Sequence, residues 1–230
     1  MQSYKLNFIK GHYFVQIENL NFLLDTGSPL SLVKKKKIII QKRTFKLPAS
    51  ILSLDSDYLT QNTGTKTDGL IGTDILNQFD IIFDAKKSEI IFSDKELNVD
   101  GSAIELNSFF GVPEIMVKIK SVKKKMLFDT GSQISYLQNI NLSDYPFVES
   151  FTDFFPLAGK FKSNVHLVNF EIGNIKYKLR CGALPDNIPG LSLLTASVDG
   201  IIGNEILKDT VTGYFPRSKR VVVNEISDKL

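Results

Sequence analysis

Short runs in which apolar and polar residues alternate are the main pattern of the chain. Apolar residues recur at every second position in residues 13–17, 115–119 and 165–170, as in β-strands that bury one face. The pair Gly173-Asn174 between two such runs predicts a tight hairpin turn. The pattern therefore predicts an all-β protein.

Helical patterns are rare. Short helices are expected only after Gly72 and Gly203, where an apolar pair follows within four residues. Thr73 or Asn204 would cap these helices through its side chain.

Two sequence blocks occur twice, in the same order. The segment LLDTGS at residues 23–28 returns as LFDTGS at residues 127–132. The segment DGLIGTDIL at residues 68–76 returns as DGIIGNEIL at residues 199–207, with six of nine positions identical. Matched blocks in matched order indicate an internal duplication.

The duplication divides the chain into two units. Asp100-Gly101 suggests the boundary, which gives an N-terminal lobe over residues 1–100 and a C-terminal lobe over residues 101–230. The two blocks are 43 residues apart in the first unit and 70 in the second, counted from aspartate to aspartate. The excess of 27 residues falls between about residues 139 and 165.

The duplicated aspartates, Asp25 and Asp129, are the strongest candidates for chemistry. Each follows apolar residues that should end a buried strand. A single Asp-Thr-Gly is more often a turn, since Asp followed by Thr and Gly suits an Asx turn. Two copies in two-fold related units, however, would meet near the shared axis. Two adjacent carboxyls share a proton, so one can act as a general base and the other as a general acid.

The residues that follow each aspartate fit this role. The glycines allow close backbone approach and donate N–H groups to the carboxylates. The threonines can hydrogen-bond across the axis, and the serine hydroxyls can bond the outer carboxylate oxygens, which would lower the pKa of the pair. These supporting residues are Thr26, Gly27, Ser28, Thr130, Gly131 and Ser132.

The paired motifs resemble those of the pepsin/retropepsin superfamily of aspartic peptidases. The similarity covers nearly the whole chain and consists of two Asp-Thr-Gly-Ser loops, each followed by an apolar-apolar-Gly block. It implies a bilobal fold of two β-barrel-like lobes with short helices, with Asp25 and Asp129 as catalytic aspartates. It also implies that terminal strands, for which residues 4–9 and 221–226 are candidates, form an interlobe sheet.

The longer second unit has room for a flap, whereas the first is too short for one. Residues 147–153 and 161–170 could pair as a long hairpin within about 147–170. The flap tyrosine of the family has no firm match, since neither Tyr58 nor Tyr145 can be assigned. An ordinary surface hairpin is the alternative. The residues proposed to contact substrate at its tip are Phe154, Phe155, Pro156, Leu157 and Gly159.

Composition excludes several other classes. Of the 230 residues, 43% are hydrophobic and 23% are charged, as in an ordinary globular protein, and the net charge is +3. Lysines cluster at 34–37 and 123–125 without the interleaved aromatics of a nucleic-acid surface, so we expect solvated loops. No apolar run is long enough to span a membrane. The first residues lack the apolar core of a signal peptide, which favours a cytoplasmic location.

Cysteine and histidine are scarce. Cys181 is the only cysteine, so an intrachain disulfide is impossible and a packed, inert thiol is favoured over a nucleophile. His12 and His166 are the only histidines, and neither lies in a recognisable nucleophile motif. We therefore expect no metal and no cofactor.

The sequence thus predicts an aspartic endopeptidase, monomeric, acting on a peptide or protein substrate. Asp25 and Asp129 would activate a water without a covalent intermediate. The alternative is a latent or inactive module of the same fold that binds a peptide or protein partner. A purely structural domain would leave both acidic loops unexplained.

Overall fold

A computed structural model describes residues 1–35, 37–138, 140–155, 159–185 and 196–224. The fold is all-β, as the alternating pattern predicts. In the first half the strands are β1 Gln2–Ile9, β2 His12–Ile17, β3 Leu20–Leu24, β4 Leu32–Val33, β5 Lys37–Ile40, β6 Arg43–Lys46, β7 Ser50–Ile51, β8 Leu54–Asp55, β9 Gly69–Ile71, β10 Asp80–Asp84 and β11 Glu89–Ser93. In the second half they are β12 Ser102–Phe109, β13 Val112–Ile119, β14 Val122–Phe128, β15 Ser135–Leu137, β16 Phe147–Phe155, β17 Gly159–Ile172, β18 Ile175–Ala183, β19 Gly200–Ile202, β20 Val211–Phe215 and β21 Arg220–Val223.

The two halves repeat one arrangement around the duplicated blocks. In the first half, β2 and β3 form a hairpin, β3 runs parallel to β9, and β4 pairs antiparallel with β9. In the second half, β13, β14, β15 and β19 pair in the same pattern. Each duplicated aspartate directly follows the strand that pairs parallel with the second block, namely β3 or β14.

A run of paired strands joins the halves. In the order β1, β11, β10, β20, β21 and β12, each strand pairs antiparallel with the next. The crossing pair is β10 with β20, in the register Ile81 opposite Tyr214. The terminal segments expected to form this sheet do contribute β1 and β21. However, β1 and β21 do not pair with each other, because β10 and β20 form the pairing that connects the halves. Residues 225 and 226 lie outside the described residues.

A long hairpin occupies the region of excess length in the second half. Strands β16 and β17 pair from Phe147 opposite His166 to Phe155 opposite Gly159, with a register shift near the base. The hairpin is longer than expected, because Phe154 and Phe155 continue the strand. The turn at Gly173-Asn174 follows the sequence prediction, since Ile172 pairs with Ile175.

The helices differ in part from the expectation. Helix α2 (Thr73–Leu76) and a 3₁₀ helix (Asn204–Leu207) follow Gly72 and Gly203, but neither has a side-chain cap. Two further 3₁₀ helices span Leu142–Asp144 and Pro216–Ser218. The unexpected helix is α1 (Ser56–Thr63), which the Asp55 carboxylate caps by accepting from two backbone N–H groups.

The core explains why these strands hold together. One large cluster of buried apolar side chains contains residues of both halves, among them Phe22, Phe83, Phe128 and Tyr214. Two smaller clusters lie one in each half. Leu23 and Leu70 belong to one, and their duplicates Leu127 and Ile201 belong to the other. No helix among the described residues is long and apolar enough to cross a membrane.

Candidate active site

The two Asp-Thr-Gly-Ser loops start where β3 and β14 end, and the second block holds each loop in place. The backbone N–H of Asp25 donates to Ile71 O at 3.1 Å, and that of Asp129 donates to Ile202 O at 2.9 Å. Beyond the aspartates, Thr73 N donates to Ser28 O and Asn204 N to Ser132 O, both at 2.8 Å. Equivalent anchors in both halves therefore present the loops in equivalent positions.

The threonines lock the loops to each other, as the sequence predicts. Thr26 N donates to Thr130 Oγ1 at 3.0 Å, and Thr130 N donates to Thr26 Oγ1 at 2.9 Å. Each hydroxyl then donates to the strand of the opposite half, Thr26 to Phe128 O at 2.6 Å and Thr130 to Leu24 O at 2.9 Å. Both threonines are fully buried, so four hydrogen bonds that connect the halves are protected from water.

This interlock brings the carboxyls of Asp25 and Asp129 into hydrogen-bond contact with each other. Backbone N–H groups hold their other sides. Asp25 Oδ1 accepts from Ser28 N at 3.0 Å, and Asp129 Oδ1 accepts from Gly131 N at 2.8 Å. The glycines are needed for space, because a Cβ on Gly131 would lie 2.6 Å from Cγ of Asp25. A Cβ on Gly27 would overlap the Asp129 carboxyl in the same way.

The electrostatics of the pair favour one shared proton. Burial raises the pKa of both carboxyls, and the neighbouring negative charge of Asp129 raises the pKa of Asp25 further. The hydrogen bonds that Asp129 receives from Asp25 and from backbone N–H groups lower its pKa in part. The pair therefore binds a proton more tightly than isolated carboxyls do, and the two titrate as a unit.

The role expected of the serine hydroxyls is wrong. Ser28 Oγ donates to Leu30 O and Ser132 Oγ donates to Ile134 O, both at 2.8 Å. The hydroxyls thus satisfy carbonyls of their own loops, and only the backbone N–H groups of these serines reach the carboxylates. The expected lowering of the pKa by the hydroxyls is absent, and burial raises the pKa values instead.

The two carboxyls lie on the lining of a cavity of about 350 Å³. Both halves contribute to it, and apart from the acidic loops its wall is mostly apolar. Such an apolar cavity with a few convergent polar groups is typical of ligand sites. The apolar and aromatic lining residues are Leu23, Pro29, Leu30, Ile51, Leu52, Leu54, Leu59, Leu70, Leu127, Tyr136, Phe154, Phe155, Phe161, Leu184 and Ile201.

The long hairpin reaches this cavity through two of its expected contact residues. Phe154 and Phe155 line the cavity, and the Phe154 ring lies 6.2 Å from the ring of Tyr58 in α1. The hairpin thereby contacts the opposite half. Gly159 pairs with Phe155 but is absent from the lining. Pro156 and Leu157 lie outside the described residues.

Sequence reasoning missed three contributions to the cavity. Asp153 on the hairpin lines it and accepts a hydrogen bond at 2.6 Å from the hydroxyl of Tyr136, which is buried. The first half also supplies a small hairpin, β7 with β8, whose turn residue Leu52 lies on the rim. The repeat gives a signal for Tyr136. Tyr136 follows Leu32 by 104 residues, the same spacing that separates Asp25 from Asp129, and Leu32 is buried. Nothing local marks Asp153.

His12, His166 and Cys181 do not line the cavity. His12 is buried beside Gln133, and burial lowers its pKa to about 4. His166 Nδ1 donates to Tyr145 O at 2.9 Å at the base of the hairpin. Cys181 is buried, as expected for a packed thiol, and burial raises its pKa, which disfavours the reactive thiolate. Within the described ranges, no group of three or more His, Cys, Asp or Glu side chains could hold a metal ion.

Comparison with known proteins adds no assignment. No protein-family model matches the chain, and no curated protein matches it significantly. The candidate site therefore rests on its own geometry.

The raised pKa values predict how stability depends on pH. Because the folded protein binds the shared proton more tightly than the unfolded chain, this contribution is complete below the unfolded value near 3.8 and is lost as pH rises through the folded pKa. Asp25→Asn removes the carboxyl whose pKa is raised most, so the variant should lose less stability than the natural protein as pH rises. Urea unfolding of both proteins from about pH 3 to 8 measures this difference. If the difference in the free energy of unfolding between the two proteins stays constant over this pH range, the shared proton is contradicted.

Proposed function

We propose that the protein is an aspartic endopeptidase. The observation that carries this proposal is the hydrogen-bonded pair Asp25 and Asp129, one from each half, on the wall of an apolar cavity. Two coupled carboxyls with raised pKa values are suited to hold one proton between them. An apolar cavity suits the side chains of a peptide.

In the proposed reaction, the ionised carboxylate takes a proton from a water whose oxygen attacks the peptide carbonyl carbon. The protonated carboxyl donates its proton to the carbonyl oxygen at the same time. The tetrahedral intermediate then collapses and the C–N bond breaks. The amide nitrogen receives the proton that the base had taken, and a hydroxyl of the intermediate returns a proton to the other carboxylate. The pair returns to its singly protonated state, and no covalent bond to the protein forms.

We further infer that the chain is a single-chain relative of the pepsin/retropepsin superfamily, with residues 1–100 and 101–230 as its two lobes. The matched strand pairing around the loops supports this inference, as does the threonine interlock. One chain supplies both aspartates, so a monomer would be active.

A peptide library tests the proposal. The purified protein is incubated with the library from acid to neutral pH, and new peptide termini are identified by mass spectrometry. We expect cleavage, and we expect a statine-type mimic of the tetrahedral intermediate to inhibit it, since such mimics match the transition state. Peptide binding without cleavage at any pH would overturn the enzyme and favour the latent binding module.

The hairpin residue Phe154 should contribute to substrate binding. Phe154→Ala removes a ring that lines the cavity and contacts Tyr58, so we expect KM for peptide cleavage to rise about tenfold, as when one aromatic contact is lost. Steady-state kinetics measure this effect. The matched control is Phe147→Ala at the exposed base of the same strand, which should leave KM unchanged. Equal effects of the two variants would argue against a role of the tip.

A further inference from the structure

The cavity has an unusual charge pattern. Three of its lining side chains are carboxyls, those of Asp25, Asp129 and Asp153. Among the described residues that line it, none is Lys, Arg or His. The first two carboxyls are accounted for by the proposed chemistry, whereas the third is on the hairpin and has no role in it.

Asp153 is held in a fixed orientation. Its Oδ2 accepts from the Tyr136 hydroxyl at 2.6 Å, and its Oδ1 accepts from the backbone N–H of Phe154 at 2.8 Å. A carboxylate has about four acceptor positions, so each oxygen retains one for another donor. Asp153 lines the same cavity as the carboxyls of Asp25 and Asp129, and its charge raises the pKa of Asp129.

Lys160 and Lys162 on β17 flank Phe161, the residue opposite Asp153, but neither lines the cavity. Arg180 belongs to the adjoining strand β18 and is engaged elsewhere. Arg180 donates to Glu205 Oε1 at 2.6 Å and to Glu149 Oε1 at 2.8 Å, and its guanidinium lies 5.9 Å from the centre of the Phe151 ring. Glu149 and Phe151 belong to β16, so Arg180 anchors the strand and does not neutralise Asp153.

Burial raises the pKa of the Asp153 carboxyl, while the hydrogen bonds from Tyr136 and Phe154 act in the opposite direction. A cation beside it would therefore favour its ionised form.

We propose that Asp153 is a specificity-determining residue that selects substrates with a lysine or arginine side chain next to the scissile bond. The inference rests on the proposed peptidase function and names its substrate class. The apolar walls would pack against the aliphatic stem of such a side chain, and its charged end would reach the open acceptor positions of Asp153. The proximity of Asp153 to Asp129 places the basic residue beside the cleaved bond.

The test compares two peptides that differ at one position. A library that retains internal lysine and arginine first identifies a cleaved bond. Two internally quenched peptides are then made around that bond, one with lysine and one with norleucine at the flanking position. We expect the natural protein to prefer the lysine peptide in kcat/KM, and Asp153→Asn to lower that value by about 10- to 100-fold, the range for one charge-assisted hydrogen bond. Asp153→Asn should cleave the norleucine peptide with the same kcat/KM as the natural protein does.

Two further variants separate selectivity from support of the hairpin. Tyr136→Phe removes the hydroxyl that holds Asp153 but keeps the charge, so it should affect both peptides equally. Asp144→Asn removes an exposed carboxylate just before the hairpin and should leave kcat/KM unchanged for both peptides. If Asp153→Asn and Tyr136→Phe each lower kcat/KM equally for the lysine and the norleucine peptide, Asp153 only supports the hairpin and the inference is overturned.

The natural protein alone also decides the question, even if Asp153→Asn does not fold. Cleavage of the norleucine peptide as fast as the lysine peptide overturns the selectivity and leaves the peptidase intact. Cleavage of no peptide in the library overturns the proposed function itself, and the inference fails with it.

Discussion

Replacing either aspartate of the pair with asparagine should abolish peptide cleavage. In Asp25→Asn or Asp129→Asn, the pair can no longer both remove a proton from water and donate one to the carbonyl oxygen. General acid–base catalysis contributes about 10² to 10⁴ in rate, and each variant loses the coupled use of both groups. We therefore expect kcat/KM to fall by at least about 10³-fold, measured with the best peptide from the library.

The loss should not come from unfolding. Asparagine has nearly the shape of aspartate and removes a buried negative charge, so both variants should fold and should bind the statine-type mimic more weakly. Asp94→Asn is the matched control, because it removes the same charge from a half-exposed carboxylate that pairs with Arg43. Residual activity near that of this control in either pair variant would exclude the proposed mechanism.

Replacing Thr130 with valine should cause a large loss of stability. Valine has almost the same shape but leaves Thr26 N without its acceptor and Leu24 O without this donor. Each buried group left unpaired costs about 1–3 kcal/mol, so the free energy of unfolding should fall by about 2–6 kcal/mol. A domain of this kind has about 5–15 kcal/mol in total, and urea unfolding would show the change directly.

The control for this variant is Thr212→Val. Thr212 is equally buried, but its hydroxyl contacts Thr210 Oγ1 within the same half at 3.0 Å. We expect a loss of about 1 kcal/mol there, the usual value for one hydrogen bond. If the free energy of unfolding falls equally in both variants, the threonine interlock contributes no more to stability than an ordinary buried hydrogen bond.

The site could be predicted from sequence where its parts are local. Asp25 and Asp129 belong to contiguous motifs at strand ends, and their duplication implied that they meet. The threonine interlock followed from the same symmetry. The serine hydroxyls were assigned wrongly, because a serine can also donate to a carbonyl two residues ahead, and sequence does not fix its rotamer.

The fold was predictable to the same degree. Alternation identified the strands, and the 27-residue excess located the hairpin. Helix α1 was missed, because residues 56–63 are mostly polar and show no helical period of apolar residues. Its Asp55 cap and Gly64 end were the available signals.

The sequence by itself determined the duplicated strand pattern and the paired acidic loops, since both are properties of short contiguous segments. Only the tertiary structure decided what shares the cavity with the loops. Asp153 is 24 residues from Asp129 along the chain, and it reaches the cavity because β16 pairs with β17 in one register, with Asp153 opposite Phe161. A shift of one residue would turn Asp153 to the other face of the hairpin. Register depends on contacts along the whole hairpin, and no local segment specifies it.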